Sequence, residues 1–309
     1  MKVHSKLPLA WGSAFLTALR PRQWTKNLIV FAAPLFAFRM QLDALSGSIL
    51  AFILFCGVSS SFYLINDVID IKADRRHPIK RNRPIAAGLV SVPVAISSAI
   101  AFLSISLIIA WAHSRGLGSA IVAYALLQIA YNLKLKRVVI LDIFAIAGGF
   151  ILRAFAGAAS TFVVLSPWFL ICTGMLALFL AIEKRKAELR KSIQQTRSVL
   201  QFYSIDLLKR MENLVTVGTV MAYTLWSSGQ QVRGATTAWM LLTVPFVLYG
   251  VFRYQYLSEP RSEEQAERPE EILLGDRPLQ FALLGWILSI AIILFLKHQN
   301  WLVLMNLVG

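Results

Sequence analysis

The chain reads as an all-α polytopic membrane protein, and three observations predict this. Of its 309 residues 57% are hydrophobic and only 15% charged, with mean hydropathy +0.63, too apolar for a soluble domain. Apolar stretches approaching the roughly 20 residues that cross about 30 Å of hydrocarbon recur along it. Lys and Arg gather in alternate connections between those stretches.

Nine transmembrane helices are expected, over residues 27–40, 45–65, 91–112, 116–131, 138–158, 166–182, 214–230, 237–257 and 279–296. The first is the shortest, because Arg20, Arg22 and Lys26 interrupt its approach. No small-residue cleavage pattern follows it, so it is expected to stay as a span rather than leave as a signal peptide. With the N-terminus inside, 26 of the 31 Lys and Arg residues fall on the inner side and 4 on the outer, those at span ends counted with the adjoining side; Arg153 alone lies deep within a span. Short loops rich in Lys and Arg remain cytosolic, so the N-terminus is expected inside and the C-terminus outside.

A net charge of +15 raises the question of nucleic acid. The basic residues lie in short loops with no soluble domain to present them, so no nucleic acid is expected; phosphorylated substrates and anionic lipids are the expected partners. Cys56 and Cys172 fall within apolar spans, without a CxxC or Cys/His neighbourhood, so neither a disulfide nor a zinc site is expected. One membrane domain is expected over 1–309. Residues 258–277 carry seven carboxylates among Pro and Ser and read as a solvated loop. Spans 2–4 and 5–7 share an order of helix, charged inner loop and helix, too loosely to count as a repeat.

The strongest chemical signal is Asn66-Asp67-Val-Ile-Asp70-Ile-Lys-Ala-Asp74, at the inner end of the second span. Steps of three and four residues put Asp67, Asp70 and Asp74 on one helix face, where carboxylates repel one another and a helix C-terminus adds its own negative end. A cation is required there. Hard oxygen donors, with Asn66 among them, suit Mg²⁺ completed by substrate phosphates; ion pairs with Lys72, Arg75 and Arg76 are the structural alternative. A basic segment broken by two prolines follows, from Arg75 to Pro84, and is expected to return over the acidic face. Its Lys80 and Arg83 are candidate phosphate clamps, against the plainer reading of charges that only set topology.

Lys26, beside Asn27, and Lys136, near Tyr131 and Asn132, are expected anion contacts at span ends; Trp24 and Tyr131 read equally well as interfacial aromatics. Glu188 lies four residues from Lys184 and three from Arg185, so these share a helix face, either as a salt-bridge cluster or as ligand contacts. Arg153 is a charge inside a span, costly and by default functional. Asp142, eleven residues earlier, is too far along the helix to pair with it directly, and both are expected to face a central cavity.

The motif NDxxDxxxD closing the second of nine helices, RPRQWTKN entering the first and the Tyr/Lys segment after the fourth resemble the UbiA superfamily of intramembrane prenyltransferases. Within it the chain is most similar to the membrane phosphoribosyltransferases that act on polyprenyl phosphates. The resemblance covers essentially the whole chain. It implies a UbiA-type helical bundle with a central cavity open to the cytosolic side of a bacterial cytoplasmic membrane, and leaves open a homo-oligomer, a trimer included. It further implies Mg²⁺, phosphoribosyl diphosphate as donor and a polyprenyl monophosphate such as decaprenyl phosphate as acceptor. Catalytic roles then fall to Asp67, Asp70, Asp74, Lys136 and Glu188. Metal ligation falls to Asn66, Asp67, Asp70 and Asp74, and substrate contacts to Lys26, Asn66, Lys80, Arg83, Tyr131, Arg153, Lys184 and Arg185. One departure stands out: the family's second aspartate-rich motif reads Glu183-Lys184-Arg185-Lys186-Ala-Glu188-Leu here. Bases in place of acids suit an extra phosphate better than a second metal, which favours the phosphoribosyl donor. An aromatic prenyltransferase is the alternative enzyme, and a polyprenol transporter the alternative class.

Overall fold

The computed structural model describes residues 11–37, 41–191, 198–230, 234–259, 275–299 and 301–302. Among the described residues the chain is helical, with no strand. Its elements are α1 (Trp11–Leu19), a 3-10 segment (Pro21–Phe31), α2 (Ala32–Phe36), α3 (Leu42–Ile69), α4 (Ile71–Arg76), α5 (Val92–His113) and α6 (Arg115–Leu133). A 3-10 turn (Leu135–Arg137) leads to α7 (Leu141–Thr161), α8 (Pro167–Lys191), α9 (Ile205–Ser227), α10 (Val244–Ser258) and α11 (Arg277–His298).

Among the described residues, six helices are long and apolar enough to cross a membrane: α3, α5, α6, α7, α8 and α11. The chain is therefore a multi-pass membrane protein. The remaining three expected spans are helical too, but less regular. The first is the 3-10 segment continued by α2, and the eighth begins as a 3-10 turn over Ala238–Thr243 before α10. α9 carries Asp206, Lys209, Arg210 and Glu212 in its first turns, which lowers its apolarity. The charged connection expected over 183–213 is largely helix, since α8 runs on to Lys191 and α9 starts at Ile205. Residues 260–274, most of the acidic loop, lie outside the described residues.

The contacts divide the chain into two compact units. The first holds the described residues of 1–34, 40–132 and 152–163. Its core joins Val30, Leu54, Phe55, Val58, Leu117, Ile121, Tyr124 and Ala156. Close approach here depends on small side chains, the packing device of helices that meet in lipid. A Cβ on Gly157 would overlap the Val30 carbonyl, and one on Gly47 the Ser160 carbonyl. α3 has 28 residues, about 42 Å at 1.5 Å per residue, so it outruns the hydrocarbon and can carry polar side chains at its end. The second unit holds the described residues of 35–39, 133–151 and 164–309, around Ile143, Phe179, Ile182, Leu208, Val215, Val251 and Tyr254.

Candidate functional site

The acidic motif does not lie on one uninterrupted helix. α3 ends at Ile69, Asp70 takes φ −86° and ψ 4°, and α4 begins at Ile71. Asp67 occupies the last turn of α3 and Asp74 lies on α4; both are buried, at 2% and 3% exposure, while Asn66 and Asp70 are half-buried. Arg83 brings the two buried carboxylates together. Its Nη1 donates to Asp74 Oδ2 at 2.7 Å and to Asp67 Oδ1 at 3.1 Å. Arg20 Nη2 donates to the same Asp67 oxygen at 2.5 Å, and its guanidinium lies 5.0 Å from the Tyr63 ring centre.

Local sequence explains both arginines. Arg75 Nε bonds the Ala86 carbonyl at 3.0 Å, and Val90 N–H bonds the Pro84 carbonyl. Ile85 and Val90 sink into a core with Leu64, Ala95 and Ala99, so the proline-broken segment does fold back toward the acids. The side chain of Trp24 donates to Ser60 Oγ, which donates to the Leu19 carbonyl, fastening the 3-10 segment to α3. Arg20, just before Pro21, adopts φ 57° and ψ 60°, a left-handed conformation that costs a non-glycine residue energy and accompanies its reach to Asp67.

Ion pairs form, but with Arg20 and Arg83 rather than with the Lys72, Arg75 and Arg76 of the structural alternative. Among the described residues no three His, Cys, Asp or Glu side chains converge as a metal cluster, so the three-aspartate set expected from spacing is not assembled. Two carboxylates sharing one cationic nitrogen nevertheless fit a divalent ion. Mg²⁺ is commonly held by one or two carboxylates, with water and substrate phosphates completing its shell.

Elsewhere in the first unit Lys80 is half-buried in a 3-10 turn, Lys26 donates to Gln23 Oε1 at 2.5 Å, and Tyr131 is half-buried near the end of α6. Arg153 departs from expectation. It is 6% exposed, donating to Asn27 Oδ1 and Tyr124 Oη, both at 2.7 Å, with the Tyr124 ring centre 4.6 Å away. Helix packing has satisfied it inside the first unit, so its assignment as a substrate contact on an open cavity is withdrawn.

In the second unit the segment after α8's apolar stretch splits by helix face. Arg185 is fully buried: its Nε donates to Asp142 Oδ2 at 2.7 Å and its Nη1 pairs with Glu188. A guanidinium enclosed in this way is not presented to a phosphate, which corrects its assignment as a substrate contact. Asp142 likewise serves Arg185 rather than a cavity. Lys186, also buried, links Glu183 at 2.8 Å and Glu212, which in turn accepts from Gln255. Lys184 and Glu188 stay half-buried, as does Lys136 in its 3-10 turn. Sequence reasoning missed Tyr203, whose hydroxyl donates to Asp142 Oδ1 at 2.7 Å and accepts from the Ile140 N–H at 2.6 Å. Burial, then the hydrogen bond to Asp142, pushes this phenol above its usual pKa, so it remains a donor at neutral pH.

The model of the UbiA prenyltransferase family matches residues 11–274. The chain belongs to that family. A protein of Mycolicibacterium smegmatis named decaprenyl-phosphate phosphoribosyltransferase is 37% identical over 291 residues, covering 89% of this chain and 90% of its own. A Corynebacterium glutamicum protein of the same name is 33% identical, covering 94% and 89%. Among solved structures, a UbiA homolog from Archaeoglobus fulgidus bound to GPP and Mg²⁺ has a TM-score of 0.70 at 19% identity, over 90% of this chain and 98% of that one. A structure described as that of digeranylgeranylglyceryl phosphate synthase has a TM-score of 0.67 at 18% identity, over 92% and 98%. These structural likenesses establish the UbiA fold.

Proposed function

We propose that this family member transfers 5-phosphoribose from phosphoribosyl diphosphate to a polyprenyl monophosphate, decaprenyl phosphate or a close relative, and releases diphosphate. The ribose C1–O bond to diphosphate breaks with its electron pair leaving on the diphosphate, and an acceptor phosphate oxygen forms the new C1–O bond. The observation that carries this reading is the convergence of Asp67 and Asp74 on one arginine nitrogen, in a chain whose relatives bear that enzyme name over about nine-tenths of their length. Nine spans in a bacterial cytoplasmic membrane, with the N-terminus and the site on the cytosolic side, complete the proposal; the Lys and Arg distribution supports that orientation.

Asp67 and Asp74, with Asn66 and Asp70 beside them, would hold Mg²⁺, which when bound neutralises charge on the leaving diphosphate. Arg20 and Arg83 hold the two carboxylates close together before substrate arrives. Arg83 and Lys80 then turn cationic groups toward donor phosphate, Arg83 through a planar fork and Lys80 as a point charge. Lys26 and Tyr131 are assigned to substrate phosphate and ribose, Lys136 to charge developing on the leaving group, and Lys184 to a phosphate oriented with help from Glu188. The acceptor phosphate is already an anion at neutral pH, so no general base is required.

The test is transfer of label from ribose-labelled phosphoribosyl diphosphate to decaprenyl phosphate by purified protein with Mg²⁺, with a parallel reaction of geranyl diphosphate and an aromatic acid. Labelled lipid in the first alone supports the proposal. Prenylation of the aromatic acid without phosphoribosyl transfer would overturn it in favour of the aromatic prenyltransferase.

A further inference from the structure

We infer that Tyr203 is a positioning residue for the proposed transfer, setting the place of Lys136 through the backbone of Ile140 and, through Asp142 and Arg185, that of Glu188. The inference rests on the phosphoribosyl transfer reading.

The connected groups all belong to the second unit. Lys136 sits in the turn Leu135–Arg137, and the chain must pass from that turn into α7 within a few residues. It does so through Ile140 at φ 70°, a conformation that a β-branched side chain adopts only when its surroundings compel it. Two hydrogen bonds hold Ile140 there: its N–H donates to Tyr203 Oη at 2.6 Å, and Leu141 N–H bonds the Val139 carbonyl at 2.8 Å.

The same hydroxyl donates to Asp142 Oδ1, and the other oxygen of Asp142 receives Arg185 Nε, whose guanidinium pairs with Glu188. Tyr203, Asp142 and Arg185 are at most 5% exposed, whereas Glu188 and Lys136 stand at the accessible ends of the chain of contacts. A buried hydrogen-bonded network fixes the groups it joins, and rigidity is what an anion-binding group on a short turn lacks by itself. A plain packing role for Tyr203 would need its ring and not its hydroxyl.

The experiment is a double-mutant cycle on full-length enzyme with the substitutions Tyr203→Phe and Lys136→Ala, reading KM for phosphoribosyl diphosphate, KM for the polyprenyl phosphate, kcat and thermal stability. Tyr203→Phe keeps the ring and removes the hydroxyl. It is expected to lower kcat roughly tenfold, as misplacing a cation aimed at the developing charge would, with both KM values changing less than about threefold. Lys136→Ala should cost little more in the Tyr203→Phe background than Tyr203→Phe costs alone, because both remove the same contact. Additive losses, or a fall in stability with kcat unchanged, would overturn the inference. Wild-type enzyme without phosphoribosyl transfer would instead overturn the reading on which it rests.

Discussion

Asp67→Asn and Asp70→Asn separate what the acidic motif does for folding from what it does for chemistry. Asp67 is buried and receives Arg20 at 2.5 Å and Arg83 at 3.1 Å. Asparagine preserves its shape and one acceptor but removes the charge from both contacts. A charged hydrogen bond contributes about 1.5–3 kcal/mol. Three facts reduce the loss: both arginine side chains are about 30% exposed and so recover water, Arg83 retains Asp74, and repulsion between Asp67 and Asp74 disappears. The net cost is ~1–2 kcal/mol, small enough to leave a folded protein in the membrane. Asp70 is half-buried at the helix break and has no side-chain hydrogen bond or ion pair among the described residues, so Asp70→Asn should change stability by less than about 0.5 kcal/mol.

Activity should not follow that ranking. Each carboxylate is assigned to the ion that meets the leaving diphosphate, and removing one preorganised electrostatic group from such a site costs about 10²–10³ in rate. Both variants are therefore expected to lose most turnover, with Asp70→Asn melting like wild type. The assay is label transfer from phosphoribosyl diphosphate across a Mg²⁺ titration, with chelator inhibition reversed by Mg²⁺ as the control. Near-normal activity of either variant at ordinary Mg²⁺ would refute its place at the metal.

Lys186→Met should destabilise by ~3–5 kcal/mol, since it leaves Glu183 and Glu212 buried without their shared cation, and adding Glu212→Gln should recover part of the loss in a thermal melt. Gly157→Ala places a methyl on the Val30 carbonyl and should lower stability by ~1–3 kcal/mol, whereas Gly12→Ala, with open space around it, should be neutral by the same melt. Hydrogen bonds from Arg253 hold the Asp276 carboxyl below its usual pKa, so the pair's stabilisation is complete above the unfolded value of about 3.9 and is lost as pH falls through the folded one. The melting difference between wild type and Asp276→Asn should accordingly close on acidification and persist at neutral pH. A single cysteine at Ser228 should react with an impermeant thiol reagent in intact cells and one at Ala87 should not; the reverse pattern would invert the proposed topology.

How far the sequence could be read depends on the distance between interacting partners. The apolar stretches and the aspartate spacing are local, and helices occur where the first predicts them. The fold-back of Arg83 was also readable, because two prolines and a run of bases within ten residues leave few other paths. Arg20 was not. Its partner lies 47 residues away, and only an arginine before a proline at a span entrance hinted at it. Arg185 was misjudged for the same reason: its spacing to Glu188 is visible, but Asp142, 43 residues earlier, decides which way it points. The helix break at Asp70 has no glycine or proline to announce it.

The basic substitutions in the Glu183–Leu189 segment bear on the donor in a way that spacing alone did not show. Bases here could have served as an array of phosphate contacts, yet two of the three are consumed internally, Arg185 by Asp142 and Glu188 and Lys186 by Glu183 and Glu212. The internal pairs also occupy the acids, so carboxylates that would otherwise suit a second metal are already neutralised by buried cations whose removal would be costly. What remains accessible is one lysine and one glutamate, Lys184 and Glu188. A prenyl diphosphate bridged by metal between two acidic motifs has no second motif to use in this chain. A donor carrying its diphosphate at one end asks for a single metal-binding pair, the demand that the proposed role of Asp67 with Asp74 would meet within the first unit.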